Sequence, residues 1–220
     1  MKIIGLPDIH GDINKINRLK NLISEVDLVI LAGDITNFGH RAEMQEMIDL
    51  VKGYNQCCIT VPGNCDYQET EEVMNETETN LNGKNRIIEN KTFVGLGGSL
   101  PTPFKGTPFE VPEDYFQEKL SAAINGMNDA LPMVLISHQP PHDTMADGLP
   151  NGLHVGSRII RQFIENHQPL VCFTGHIHEG KGIDTIGDTK IINPGPVFNG
   201  NYAYAEISHQ VDLIEIRPIP

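Results

Sequence analysis

Aspartate, histidine and asparagine recur in five short segments whose residue types suit divalent metal ions. They are Asp8 and His10 in DIH, Asp34 in GD, Asn64 in GNCD, His138 in SHQPP, and His176 with His178 in GHIH. Carboxylate, neutral imidazole and one amide oxygen form a mixed hard and borderline donor set, which manganese, iron, nickel, cobalt or zinc would accept. Seven side chains are too many for one tetrahedral zinc. They suit two ions that share a carboxylate, about 3.5–4 Å apart. On extended backbone, D-x-H and H-x-H would each turn two side chains to the same face. Gly-Asp, Gly-Asn and His-Gly also occur in ordinary turns, but so many such pieces, all at predicted strand ends, favour a shared site. Binding needs ionised carboxylates and neutral imidazoles, so metal affinity should fall in acid.

Hydrophobic periodicity predicts the elements that gather these tips. Residues 2–6, 28–31, 57–61, 133–137 and 170–173 are short apolar runs, read as buried strands, each leading into one of the five segments. Between and after them come amphipathic stripes. Asp12 caps a helix bearing Ile13, Ile16, Leu19 and Ile23. Met44, Met47, Ile48 and Val51 mark a second, ending near Gly53; Val73, Met74, Thr77 and Leu81 mark a third in the polar stretch 67–84. Phe116, Leu120, Ala123, Ile124 and Met127 mark a fourth. A fifth carries Ile160, Phe163, Ile164 and His167, capped by Ser157 and stopped by Pro169. Residues 86–88 and 92–96 read as a hairpin. Such strand–helix alternation implies a parallel sheet with functional loops at the strands' carboxyl ends. The Gly/Pro-rich stretch 97–112 and residues 139–156 read as loops. Late runs at 182–186, 190–192 and 201–216, the last a hairpin around His209-Gln210, lack intervening helices and read as antiparallel. Without a repeat or a linker, residues 1–220 read as one domain.

Acids outnumber bases by 29 to 16, a formal charge of -13. Such a surface repels duplex nucleic acid and anionic membrane, and no lysine or arginine cluster offers a local exception. Cys57, Cys58, Cys65 and Cys172 form no C-x-x-C pair, which points to reduced, buried thiols and a cytoplasmic protein. The first apolar run is too short for a signal peptide, and no stretch is long enough to span a bilayer.

In this order, DIHG, GD, GNCD, SHQPP and GHIHE resemble the calcineurin-like metallophosphoesterase superfamily. GGSLPTPF at 97–104, HVGSR at 154–158 and GHIHEGKG at 175–182 are similar to a prokaryotic subgroup of predicted phosphoesterases. The resemblance spans most of the chain and implies an α/β (α+β) fold, a four-layer sandwich of two mixed β-sheets flanked by helices. It implies that Asp8, His10, Asp34 and His178 hold one metal, and that Asp34, Asn64, His138 and His176 hold a second, with Asp34 bridging. The implied activity is hydrolysis of a small phosphodiester or nucleotide by a hydroxide bridging the two divalent ions, with His138, His176 and the Asn64 region around the phosphoryl oxygens and Asp34, Asn64 and His138 in the catalytic set. A phosphomonoesterase and a non-catalytic metal-binding scaffold of the same fold are the alternatives; the acidic balance argues against a nuclease. Many superfamily members carry histidine where Cys65 stands, to stabilise the transition state or protonate the leaving oxygen. A thiol, with an ordinary pKa of about 8.5, is a weak donor, so good leaving groups should be favoured.

Other residues have weaker signals. His154 joins the catalytic set because HVGSR opens a helix whose N-terminus could face phosphate. Arg158 could reach a phosphate oxygen or lie on the helix surface. His142 reads as a loop histidine, Asp66 as either a turn residue or an orienting partner, and Cys65 as a packed or lining thiol. Asn193, Ser99 and Phe104 read as turn or packing residues before pocket lining; His40, His167 and His209 read as structural or exposed. The partner is a small phosphate ester, and an oligomer is neither required nor excluded.

Overall fold

Branched aliphatic side chains dominate Lys2–Leu6 (β1), Leu28–Ala32 (β2) and Cys58–Val61 (β3), and their alternation sends neighbours to opposite faces. Ile4, Leu6, Val29 and Leu31 enter one core; Ile3, Ile30, Ala32 and Val61 enter another. Both faces are thus buried, as expected of parallel strands covered on both sides. The computed structural model describes every residue except Phe104, Lys105 and Asp129.

The remaining strands are Asn85–Ile88 (β4), Lys91–Leu96 (β5), Met133–Ser137 (β6), Val171–Thr174 (β7), Gly182–Ile186 (β8), Thr189–Asn193 (β9), Asn201–Ile207 (β10) and Val211–Pro218 (β11). One sheet has the order β11-β10-β1-β2-β3, the other β4-β5-β6-β7-β9-β8. Strands β1, β2 and β3 are parallel, as are β5, β6, β7 and β9. The helices are Ile13–Arg18 (α1), Lys20–Glu25 (α2), Arg41–Tyr54 (α3), Thr70–Glu76 (α4), Glu113–Ile124 (α5) and Arg158–His167 (α6). Helices α1 to α4 pack Ile16, Ile23, Met44, Met47, Val51 and Met74 on the first sheet, while α5 and α6 pack Phe116, Leu120, Ile160 and Phe163 on the second. The two sheets share the middle core of Ile3, Ile30, Phe93, Val134, Ile136 and Phe173. The result is four layers, helices–sheet–sheet–helices, with two mixed sheets.

Several elements differ from their sequence reading. Asp12 does cap the first helix, accepting from the Lys15 amide at 3.1 Å, but that helix breaks at Leu19 into α1 and α2. Helix α4 stops at Glu76, so Leu81 leaves the helical stripe and packs between the sheets instead. Strand β9 runs parallel to β7, not antiparallel throughout as expected of the late strands. The β8–β9 hairpin inserts β9 beside β7, which buries Ile191 and Ile192 and leaves β8 as the half-exposed edge. The hairpin joining β4 to β5 turns at Glu89 and Asn90, with φ of 45° and 58°, the left-handed pair that matches strand twist.

Candidate functional site

The carboxyl ends of β1, β2 and β3 in one sheet and of β6 and β7 in the other open on the same edge. There the seven residues meet. His10 Nε2 lies 3.7 Å from Asp34 Oδ2, His138 Nε2 lies 3.5 Å from Asp34 Oδ1, and His178 Nε2 lies 3.5 Å from Asp8 Oδ1. His138 Nε2 is 3.0 Å from Asn64 Oδ1, and the His138 and His176 rings are 5.1 Å apart. Three sets of donor atoms fall within 4.8 Å of one another: Asp8, His10 and His178; Asp8, Asp34 and His138; His10, Asp34 and Cys65.

The backbone that does this is not extended. Asp8, His10, Asp34 and His176 have φ of 53°, 49°, 47° and 65°. This corrects the extended reading of D-x-H and H-x-H: the side chains converge because the chain kinks into left-handed conformations. Such residues cost about 1–3 kcal/mol each and persist where surrounding contacts over-determine them. The contacts are present. The amides of Asp8, His10 and Gly11 donate to the carbonyls of Gly33 (3.0 Å), Asp34 (2.9 Å) and Ile35 (3.0 Å), which ties the first loop to the second. Asp66, wholly buried, ties the second loop to the third. It accepts from the amides of Ile35 (3.1 Å), Thr36 (2.9 Å) and Gly63 (2.9 Å) and from the Thr36 hydroxyl (2.8 Å). Close approach dictates two glycines. A Cβ on Gly33 would lie 2.2 Å from His138 Nδ1, and one on Gly63 would lie 2.1 Å from Asp34 Oδ1.

The donors fit divalent cations. His10 Nε2 is buried without a hydrogen-bond partner among the described residues. His138 Nδ1 faces the Ala32 carbonyl at 3.0 Å, which can only accept, so Nδ1 carries a proton. A neutral His138 ring then turns its Nε2 lone pair toward Asn64 Oδ1, and two acceptors that close call for positive charge between or beside them. Asp8 and Asp34 are buried, and their ion-pair partners among the described residues are histidines alone.

The electrostatics follow from burial. Burial and the Asp8 charge push Asp34 above the usual carboxylate range, against the pull of His138 and the Cys65 amide. Burial also acts on Asp8, but its bond to His178 and the surrounding imidazoles win and hold it low. Burial and the nearby Asp34 carboxylate raise Asp66 to about 6. Burial, with His138 adjacent, drops His176 to about 3, so its ring is neutral and available as a donor. Burial lowers His10 as well, while the Asp8 bond raises His178. Burial and the Asp34 charge push the Cys65 thiol far up, so it stays protonated; its amide donates to Asp34 Oδ1 at 2.7 Å.

The structure does not bring His154 to this cluster. Its exposed ring bonds Asp147 Oδ1 at 2.7 Å, and it is not among the residues that line the pocket over the cluster. Nor does the α6 N-terminus face an open anion site. The Glu113 carboxylate already occupies it, accepting from the Ser157 hydroxyl (2.6 Å) and the Arg158 amide (2.9 Å), and Arg158 is on the surface. Asn193 is wholly buried and staples the GHIH loop, donating to the Ile177 carbonyl at 2.9 Å. Ser99 is buried, and its hydroxyl donates to the Leu100 carbonyl; Phe104 lies outside the described residues. His142 is half-buried beside His154, the His167 ring lies tilted 4.4 Å from that of Phe163, and His40 pairs with Glu69 at 2.7 Å.

The site also has an apolar lining whose residues the sequence reasoning did not single out. A pocket of about 790 Å³ opens on His10, Asp34, Asn64, His176 and His178, and Phe38, Leu100, Leu149, Pro150, Val155 and Ile177 also line it. Leu100, Val155 and Ile177 lie inside the GGSLPTPF, HVGSR and GHIHE motifs, whereas Phe38, Leu149 and Pro150 lie in none. The available signal was Leu100 and Leu149, apolar residues within stretches that otherwise read as loops.

Fold and cluster together describe a metal-dependent hydrolase of the two-sheet sandwich class, and residues 1–180 match the calcineurin-like phosphoesterase family, to which this chain belongs. It is 40% identical over 200 residues to an uncharacterized protein of Methanocaldococcus jannaschii, covering 89% of this chain and 88% of that one. Among solved structures it is similar to a Thermus thermophilus protein, with a TM-score of 0.79, 17% identity and coverage of 100% and 99% of the two chains. It is also similar to a novel archaeal phosphodiesterase, with a TM-score of 0.55, 16% identity and coverage of 100% and 99%. These structural likenesses concern the fold.

Proposed function

We propose that this chain is a binuclear metal-dependent phosphodiesterase acting on a small phosphodiester, with residues 1–220 working as one unit. The observation that carries the reading is the meeting of Asp8, His10, Asp34, Asn64, His138, His176 and His178 at one sheet edge, with Asp34 within 4 Å of both His10 and His138. Asp8, His10, Asp34 and His178 would hold one ion and Asp34, Asn64, His138 and His176 the other. Such ions supply Lewis-acid polarisation of the phosphoryl oxygens and a nucleophile drawn from water at neutral pH.

The chain's own groups do the positioning. Asp66 holds the loops of Asp34 and Asn64 in register through four donors. The Ala32 carbonyl fixes the His138 tautomer, so Nε2 is the nitrogen left free to hold the second ion beside Asn64 and Asp34. Neutral His176 offers a lone pair where a protonated ring would repel a cation. The Cys65 S–H lines the pocket as a weak donor and does not act as an acid. Esters with good leaving groups therefore turn over best. His154 has no place in this reaction centre. A cytoplasmic site of action belongs to the same reading; all four cysteines are free, and among the described residues no helix is long and apolar enough to cross a membrane.

The test is a panel of bis(p-nitrophenyl) phosphate and p-nitrophenyl phosphate, assayed with Mn, Ni, Co, Zn and Mg. The diester should be the better substrate with at least one of these metals. Asp34→Asn, folded by circular dichroism, should lose on the order of a thousandfold in kcat/KM. Full activity of that variant would remove the shared carboxylate, faster monoester turnover would make the chain a monoesterase, and tight metal binding without turnover would make it a scaffold.

A further inference from the structure

The proposed phosphodiesterase reading leaves the ester group unassigned, and the apolar lining bears on it. Beside the metal-binding candidates, the same pocket is lined by Phe38, Leu100, Leu149, Pro150, Val155 and Ile177. None of its described lining residues is a lysine or arginine; its charged members beyond Asp34 and the histidines reduce to Glu179. A pocket built to grip a second phosphate or a nucleic-acid backbone would carry cations. The described lining offers apolar surface and, beyond Asp34 and the histidines, one carboxylate, Glu179.

Phe38 is held where it is at a cost. It is 44% exposed and sits at φ 56°, a left-handed conformation that a bulky residue rarely adopts. The turn is pinned by Thr36, whose hydroxyl accepts from the Gly39 amide at 3.2 Å and donates to Asp66 at 2.8 Å. The same buried carboxylate that aligns the loops of Asp34 and Asn64 thus also braces the turn that carries Phe38 to the pocket.

The Leu149–Pro150 segment is anchored just as firmly. Leu149 and Pro150 ride on a small turn closed by the Leu149 amide bonding the Leu153 carbonyl at 2.9 Å. Its base is Asp147, wholly buried, which accepts from the amides of Thr144 (2.8 Å), Asp143 (3.1 Å) and Gly156 (2.8 Å) and from His154 Nδ1 (2.7 Å). His154 is therefore a positioning residue of this segment.

We propose that the pocket takes an uncharged, apolar organic group esterified to a single phosphoryl, packed between Phe38 and the Leu149–Pro150 turn, and discriminates against substrates that carry further negative charge. Continuity of the apolar lining with the candidate metal-binding residues makes the occupant part of the substrate, since both line one pocket.

The experiment is calorimetric titration of the manganese-loaded full chain with methylphosphonate, hexylphosphonate and 6-phosphonohexanoate, which share the phosphonate and differ in the tail. Hexylphosphonate should bind at least about tenfold tighter than methylphosphonate, because each buried methylene adds to affinity. The carboxylate-tipped analogue should bind no better than methylphosphonate. Phe38→Ala, and independently Leu149→Ser, should lower the hexyl-to-methyl ratio several-fold. Equal affinity for the hexyl and methyl ligands, a preference for the carboxylate tip, or an unchanged ratio in both variants overturns the assignment and leaves the phosphoesterase reading standing. Failure of every phosphonate to bind the loaded protein overturns both.

Discussion

Gly63→Ala adds one methyl group and should all but silence the site without unfolding the protein. A Cβ at this position would lie 2.1 Å from both the Asp34 amide nitrogen and Asp34 Oδ1, where ordinary contact begins near 3.4 Å. Neither atom is the tip of a flexible chain. The amide is backbone, and Oδ1 accepts from the Cys65 amide at 2.7 Å and faces His138 at 3.5 Å. Asp34 or the Gly63 loop must therefore retreat by more than an ångström. Overpacking of this kind costs about 1–3 kcal/mol, which a typical domain survives. Misplacing a reacting group by about 1 Å costs on the order of a hundredfold in rate. Gly53→Ala is the control. This glycine lies exposed in α3 with nothing within 4 Å of its prospective Cβ. There the same methyl should stabilise by about 0.5–1 kcal/mol and leave turnover untouched. Steady-state kinetics on bis(p-nitrophenyl) phosphate with manganese, paired with urea unfolding, reads both quantities. Retention of full kcat/KM by Gly63→Ala would refute the claim that loop packing sets the position of Asp34.

Two further outcomes follow from contacts away from the cluster. Glu113→Ala leaves the Arg158 amide and the Ser157 hydroxyl without their acceptor at the start of α6, and should cost about 1–2 kcal/mol in urea unfolding; a loss under about 0.3 kcal/mol would show that water replaces the cap freely. The bond to Asp147 raises His154, so the pair's contribution is fully present below the ordinary histidine value of 6.5 and is lost as pH rises through the elevated folded value. Burial pushes Asp147 up, but the Thr144 amide and His154 hold it below 3.8, so its contribution appears above that pH and vanishes as pH falls through the depressed value. The stability gap between wild type and His154→Ala should therefore be wider at pH 5 than at pH 8.5; equal gaps would contradict the ion pair.

The sequence by itself carried the layout. Short apolar runs ending in Asp, Asn or His marked β1, β2, β3, β6 and β7, because a strand buried on both faces has no polar alternation to blur its ends. The donor types of Asp8, His10, Asp34, Asn64, His138, His176 and His178 were legible for a related reason: a parallel sheet delivers its carboxyl-end loops to one edge whatever the details. Tertiary structure decided what depends on contacts between distant segments. The left-handed kinks at Asp8 and Asp34 are held by bonds from one loop to the next. The role of Asp66 exists only where Ile35, Thr36 and Gly63 converge on it. His154 looked catalytic because it precedes a helix, but Glu113 closes that helix end from another part of the chain, and Asp147 turns the imidazole into an anchor. Local sequence sets which conformations are cheap; which costly ones are kept is set by partners it does not name.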